Sequence, residues 1–387
     1  MRTPAGPRST AVVTAVTGLL TLAMPGASDQ VPAEYQELVA RYARGERALA
    51  IAGVARFSDS ELRRIAQTVE AAALAAERSK AAERVKDRDQ GKETTEPPLA
   101  LRAAVMLHLD LDEAQRPPAG GTEQPRRCPG KQAEIAARYA SVLAWHEETR
   151  SFARRFFLAL ANSCQWDACF LEAQRWAREG LKLFPRDAEL LLSAGSTIEE
   201  SATTWAGGSV VENPALAPRF REAARAAALE RAAQFRQAQY RFEEALASDD
   251  GLTLARVRRG RVLWRLGERE AAQATLEKAI ERAADPPLPY LAHLFLGRVH
   301  EDSGRLDQAI EHYRLALGLD PGAQAAAVAL SHALRRTGKT EEARDVLRRA
   351  LGYAGQRGHR DPYWDYLVGN ALHFREQLGA LRQESLQ

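Results

Sequence analysis

The stretch YLAHLFLGRVHEDSGRLDQAIEHYRLALGLDPG, Tyr290 to Gly322, decides the fold of the 387-residue chain. Its apolar residues recur at helical spacing on both sides of Gly304, which reads as two helices joined at that glycine. Two helices approach closely only where small side chains sit at the contact. Gly297 and Ala309 supply those contacts, while Leu296, Tyr313 and Leu317 fill the seam. Pro321 stops the second helix, because its ring and missing N–H cannot continue the hydrogen-bond ladder. With Tyr290 as position 1, Gly297 stands at 8, Gly304 at 15, Ala309 at 20, Tyr313 at 24, Ala316 at 27 and Pro321 at 32.

The same register recurs on both sides. From Thr253 it is carried by Gly260, Gly267, Ala272, Leu276 and Ala279, although Arg256 and Arg259 stand at positions 4 and 7, where large apolar residues are usual. From Gln324 it is carried by Ser331, Gly338, Ala343, Leu347 and Ala350. Arg154 to Asp187 fits through Ala161, Ala173 and Pro185. The unit from Ala188 has Leu191, Ala194, Gly195 and Ile198 in place, but its second helix arrives only at Gln234 to Ala247, with Ala238, Phe242 and Ala245. That delay is an insertion of about thirty residues, which solenoids place on loops. A helix–turn–helix unit of 34 residues with this residue set resembles the tetratricopeptide (TPR) repeat, which cannot bury its apolar face alone. The resemblance implies an all-α fold, a right-handed TPR solenoid, with a less regular helical N-terminal region. The chain is similar in this to secreted or periplasmic bacterial TPR proteins.

The domain plan follows. Residues 1–28 carry Arg2 and Arg8 before the uncharged run Ala11 to Met24, then Pro25-Gly26-Ala27-Ser28, the order of a secretory signal. The run is shorter than a membrane span needs; the alternatives are a disordered N-terminus or an uncleaved tether. Residues 29–115 read as helical and TPR-like, since Arg44-Gly45-Glu46-Arg47-Ala48 echoes Gly267-Glu268-Arg269-Glu270-Ala271, and Ser58 with Glu61 makes a capping box. Residues 116–130 are a Pro/Gly-rich linker. The array covers 131–360, with units near 154–187, 188–252 (insertion about 200–233), 253–289, 290–323 and 324–357. Residues 361–387 are expected to cap the stack, beginning with Asp361 as the N-cap of a helix that opens on Pro362.

The composition, 45% hydrophobic and 27% charged, is that of a folded protein, and a net charge of +3 is too small and scattered for a nucleic-acid footprint. No nucleic-acid partner, cofactor or metal is expected, and no membrane span once a signal is removed. No P-loop, GxGxxG or GxSxG occurs. His293 and His300 lie seven residues apart, where a metal pair prefers three or four, and His300 stands at a core position of its unit. His108 with Asp110 sits on an apolar helix without a third catalytic partner. Cys164 and Cys169 straddle the turn of the 154–187 unit, so a bridge between them is within geometric reach, and export would favour it. Cys128 would then be the odd thiol; the alternative is three reduced cysteines with Cys164 in the core.

In TPR proteins, positions 2, 5, 9, 12 and 13 of each first helix face a concave groove. By resemblance these are Leu254, Val257, Arg261, Trp264 and Arg265; Leu291, Leu294, Arg298, Glu301 and Asp302; and Ala325, Val328, His332, Arg335 and Arg336. An apolar floor with guanidinium groups suits an extended or helical partner segment of acidic character, because arginine binds carboxylates bidentately and stacks on rings. The other outcomes are a solvated face or one covered by the chain itself. The dicarboxylate clamp of co-chaperones is not supported, since position 9 holds Ser196, Arg261, Arg298 and His332 rather than Asn. The function expected is therefore a non-enzymatic interaction scaffold in the cell envelope. The alternatives are an enzyme within residues 33–150 docked by the repeats, or a self-assembling structural subunit.

Overall fold

The computed structural model describes residues 31–86, 99–115, 128–204, 218–283, 287–354, 361–367 and 374–386. Among them the only regular structure is helical. The chain divides into two compact units, Met1–Glu172 with His373–Gln387, and Ala173–Leu372. The expected signal lies outside the described residues, as do residues 116–127 of the linker and 205–217 of the insertion.

The first unit contains α1 (Ala33–Ala43), α2 (Arg47–Val54), α3 (Asp59–Lys86), α4 (Leu99–Gln115), α5 (Lys131–Leu143) and α6 (Glu147–Trp166). Helix α17 (Phe374–Glu384) belongs to the same unit. α1 and α2 form the small hairpin anticipated around Gly45, whose φ of +84° lets the Glu46 N–H reach the Arg41 carbonyl at 3.0 Å. Ser58 caps α3 reciprocally with Glu61, the Ser58 N–H donating to the carboxylate at 2.8 Å and the Glu61 N–H to the hydroxyl at 3.3 Å. The core is filled by Tyr35, Tyr42, Met106, Tyr139, Phe152 and Phe156, with Leu378 and Leu381 of α17. Burial of such side chains contributes on the order of 1.5–3 kcal/mol each.

The second unit contains α7 (Phe170–Leu183), which starts in the last residues of the first unit, then α8 (Ala188–Thr204), α9 (Pro218–Ser248), α10 (Thr253–Arg265), α11 (Arg269–Arg282), α12 (Pro287–Asp302), α13 (Leu306–Leu319), α14 (Gln324–Arg336), α15 (Thr340–Ala354) and α16 (Pro362–Leu367). From α8 to α15 these are paired hairpins in the predicted register. A methyl group added at Gly297 would overlap the Tyr313 ring, and one at Gly260 would overlap Leu276, so position 8 of the first helix meets position 24 of the second. Gly195 meets Phe242 in the same way, which identifies α9 as the second helix of the interrupted repeat. The insertion differs from a plain loop: residues from Pro218 onward extend the second helix toward its N-terminus, making α9 a single 31-residue helix. The three hairpins from α10 to α15 each close through a left-handed glycine at position 15, namely Gly267, Gly304 and Gly338. At Gly304 the φ is +74° and the Arg305 N–H reaches the His300 carbonyl at 2.9 Å. Ala168 holds this place in the 154–187 unit with φ +56°, a conformation that costs a residue with a Cβ roughly 1–2 kcal/mol.

Two expectations are corrected. The disulfide joins Cys128 to Cys169, with Cα atoms 5.6 Å apart, and Cys164 is not its partner. The Cys169 N–H does bond the Cys164 carbonyl at 2.8 Å, so the backbones meet at the turn, but the Cys164 side chain is wholly buried in the core of α6. Residues 361–387 do not form one terminal cap. Helix α16 packs in the second unit and α17 belongs to the first.

Candidate functional site: the first-helix face of the repeats

Helices α8, α10, α12 and α14 are the first helices of successive units, and the resemblance assigns their groove positions to one face. That surface is partly filled by residues 361–367. Asp361 sits over the start of α14: its carboxylate accepts from the Ala325 N–H at 2.7 Å and from the Tyr290 hydroxyl at 2.8 Å. It also accepts from the Tyr363 N–H at 2.9 Å, capping α16 itself. α14 has no side-chain cap of its own, so Asp361 satisfies an N–H that its first turn would leave open. The Tyr290 hydroxyl is pushed far above its ordinary pKa by burial and then by the Asp361 charge, so it stays a donor.

Tyr363 and Tyr366, three residues apart, lie on one face of α16. Both pack edge-on to Phe295 of α12, with ring centroids 6.3 and 5.2 Å away. Tyr366 goes deeper. Its hydroxyl donates to Glu199 of α8 at 2.6 Å, its ring lies under the Arg258 guanidinium at 4.3 Å and the Arg261 guanidinium at 5.4 Å, and its carbonyl accepts from Arg258 at 2.7 Å. Glu199 also pairs with Arg258 at 2.8 Å and with Arg261 at 2.5 Å, and Glu200 pairs with Arg258 at 3.2 Å. Two acids and two guanidiniums thus balance in a site closed to water, since Arg258 and Glu199 are both 0% exposed. Burial alone would raise the Glu199 pKa. The Arg261 and Arg258 charges and the Tyr366 hydroxyl outweigh it and hold the carboxyl below the ordinary range.

The predicted groove residues separate into three groups. Val257, Leu291 and Leu294 are buried in the core that carries the face, and Leu254 is half-buried against it. Arg261 is buried in the ion network and Glu301 in a second one, where it accepts from Tyr313 at 2.7 Å, from His332 at 2.6 Å and from Arg336 at 3.3 Å. These are internal bonds, so neither Arg261 nor Glu301 is presented to a guest. Arg265, Asp302, Val328, His332, Arg335 and Arg336 are exposed, and Trp264 donates to Asp302 at 2.8 Å. Beside α16 an open cleft of about 310 Å³ remains, lined by Trp264, Leu294, Arg298, Val328, Tyr363 and Trp364. Trp364 and Val328 are 50% and 57% exposed there.

Arg258, Glu199, Glu200 and the polar contacts of Tyr366 escaped the sequence reading, which expected Asp361 only as the N-cap of its own helix. A signal existed: Glu199 and Glu200 hold positions 12 and 13 of their unit, next to position 9 of the following first helix, which is Arg261. Acids and arginines at neighbouring groove positions of adjacent repeats predict a pairing across them.

The other titratable candidates are taken up by packing. His108 is fully buried, with Tyr35 at 2.7 Å on Nε2 and Gln132 at 2.9 Å on Nδ1, and burial lowers its pKa to about 4 despite the Gln132 bond. Asp110 pairs with Arg382 at 2.9 Å and Arg47 at 2.6 Å. His293 and His312 share a 3.1 Å Nδ1–Nδ1 hydrogen bond, and His300 stacks on His312 at 5.0 Å. Cys128 and Cys169 lie near Glu172, but disulfide sulfurs are not thiolate ligands.

Two tetratricopeptide repeat family models match the chain, at residues 257–324 and 301–370. Together they span residues 257–370, and with the hairpin geometry above they identify that stretch as a run of TPR repeats, which supports a role in protein–protein interaction. Solved structures with a similar fold include the PilF protein of Pseudomonas aeruginosa, at 16% identity and TM-score 0.41, covering 60% of this chain and 90% of that one. A MamA protein of Desulfovibrio magneticus aligns at 18% identity and TM-score 0.38, covering 53% and 97%. A further MamA structure aligns at 22% identity and TM-score 0.35, covering 48% and 88%. No curated protein sequence matches the chain. Among the described residues no helix is long and apolar enough to cross a membrane.

Proposed function

We propose that the chain is a non-enzymatic scaffold of the bacterial cell envelope whose first-helix face holds a peptide segment or partner protein of acidic character. The observation that carries this is the open cleft between α10, α12 and α14, with exposed apolar surface at Val328 and Trp364 and the partly exposed guanidinium of Arg298 in its lining, while Arg335 is exposed on α14. Apolar anchors beside a guanidinium suit a segment that offers both aliphatic or aromatic side chains and carboxylates. The envelope location is supported by the Cys128–Cys169 disulfide, because such bonds persist in oxidising compartments. The charged-then-apolar order of residues 1–28 supports it too.

Capture from extracts of the native host tests the binding reading. The unaltered chain should retain a defined partner, and Arg298→Glu with Arg335→Glu should lose it while the circular dichroism spectrum is unchanged. Equal capture by both, or none by either, counts against the groove. Arg261 is left out of this test because it is an internal ion-pair partner. The compartment is read by alkylating native material before reduction: a 128–169 bridge with one thiol at Cys164 agrees, and three alkylated thiols do not.

A further inference from the structure

Segment 361–367 shows what the repeat face recognises. It offers three features in a fixed spacing: a carboxylate (Asp361), an aromatic ring two residues on (Tyr363), and a tyrosine three residues further (Tyr366). Each meets a built receptor. The carboxylate meets the Tyr290 hydroxyl and the Ala325 N–H at the positive end of α14. The first ring meets the Phe295 edge. The second tyrosine meets two guanidinium faces and the Glu199 carboxylate, all of them buried polar groups. The buried charges of α8 and α10 pair with one another, and the segment completes the site by giving Glu199 a hydroxyl, Arg258 a carbonyl and both guanidiniums a ring face, polar contacts that an apolar packing seam would not need. The segment itself is brief. α16 has 6 residues, too few for a stable helix in isolation, so its order comes from the receptor. It also leaves the face unfinished, with Tyr363 and Trp364 forming one wall of the remaining cleft.

We infer that residues 361–367 are a built-in ligand of the first-helix face, and that the partner presents a short helical segment of the same chemistry, an acidic residue followed by aromatic residues two and five positions later, which displaces α16. This rests on the scaffold reading above and specifies its guest. An identical free segment exchanges with the tethered one at a concentration equal to the tether's effective concentration, on the order of 1 mM for a short linker. A partner therefore gains the site by binding more tightly than the segment it mimics, or by also using the open cleft.

The probe is a synthetic peptide of residues 360–368, with a control in which the residues matching Tyr363 and Tyr366 are alanine. Hydrogen exchange is followed in the unaltered full chain. The expected result is faster exchange at 362–367, half-complete at roughly millimolar peptide, with α10, α12 and α14 still protected and no effect of the control peptide. In a second arm, a chain carrying Asp361→Ala and Tyr366→Ala should bind the labelled peptide at least about tenfold more tightly than the unaltered chain, as removal of a tethered competitor requires. Unchanged exchange at 362–367 under saturating peptide overturns the proposal, as does equal action of the control peptide. If the partner captured by the unaltered chain is lost in Arg298→Glu with Arg335→Glu but is not displaced by the peptide, the scaffold reading stands and the built-in ligand falls. If no partner depends on those arginines, the scaffold reading itself fails.

Discussion

Replacing Glu199 by glutamine tests whether the buried network holds α8, α10 and α16 together. The substitution keeps the side chain's shape and removes one negative charge. In the folded chain that charge faces Arg258 at 2.8 Å, Arg261 at 2.5 Å and the Tyr366 hydroxyl at 2.6 Å, leaving only Glu200 to balance two guanidiniums afterwards. Removing one partner from a buried ion pair costs about 3–5 kcal/mol, because the remaining charge stays desolvated. At 1.36 kcal/mol per decade this is a loss of roughly two to four decades in the local closing equilibrium. Repeat arrays open in parts, so the readout is hydrogen exchange at α10 and α16 rather than a single melting curve. Amides there should exchange about a hundredfold faster or more, whereas Arg298→Gln, which loses a 3.6 Å pair from a partly exposed arginine and leaves Glu301 its bonds to Tyr313, His332 and Arg336, should change exchange there by no more than about threefold. An acid titration gives a second check. A carboxyl held below its unfolded value contributes stability that is present above about pH 4.5 and is lost as pH falls through the folded value. Glutamine should remove that acid-dependent loss at α10. Exchange in Glu199→Gln within threefold of the unaltered chain at pH 7 would refute the reasoning, because no buried charge would then have been left unbalanced.

Cys169→Ser should lower stability of the first unit by about 4 kcal/mol, the closure entropy of a loop with a sequence separation of 41, measured by urea unfolding against the oxidised chain; a matched drop on adding reductant to the unaltered chain is the control. Gly297→Ala should cost about 1–3 kcal/mol from overpacking against Tyr313, with thermal melting as the readout, and an unchanged midpoint would mean that the two helices do not meet there. Burial holds the folded pKa of His293 and His300 at about 4, below the ordinary 6.5. Between those values the unfolded chain takes up protons that the folded chain refuses, so the melting temperature should fall as pH is lowered from 6.5 toward 4. His300→Leu should flatten that slope, and a slope equal to the unaltered chain's would exclude His300 as its source.

How far the sequence reading reached depends on the range of each interaction. Gly297 against Tyr313, or Gly304 in a left-handed turn, is a contact within one 34-residue unit, so spacing alone predicts it. The interrupted repeat was legible for the same reason: Gly195 and Phe242 keep the positions that close packing requires, whatever lies between them. The groove was legible as a list of positions, but which of those side chains meet a guest was not. Val257 reads the same whether it floors a groove or fills a core, and Arg261 reads the same whether it faces solvent or Glu199.

What the sequence by itself determined is the repeat architecture, because a TPR hairpin is specified by small, large and helix-stopping residues at short, periodic separations. What only the tertiary structure decided are pairings between distant residues. Arg258 and Tyr366 are joined across 108 residues, Glu199 and Tyr366 across 167, and Cys128 finds Cys169 rather than leaving it to Cys164. No local preference selects such partners. They are set by where the stacked helices carry each side chain, and by the free energy recovered when buried charges and donors are paired.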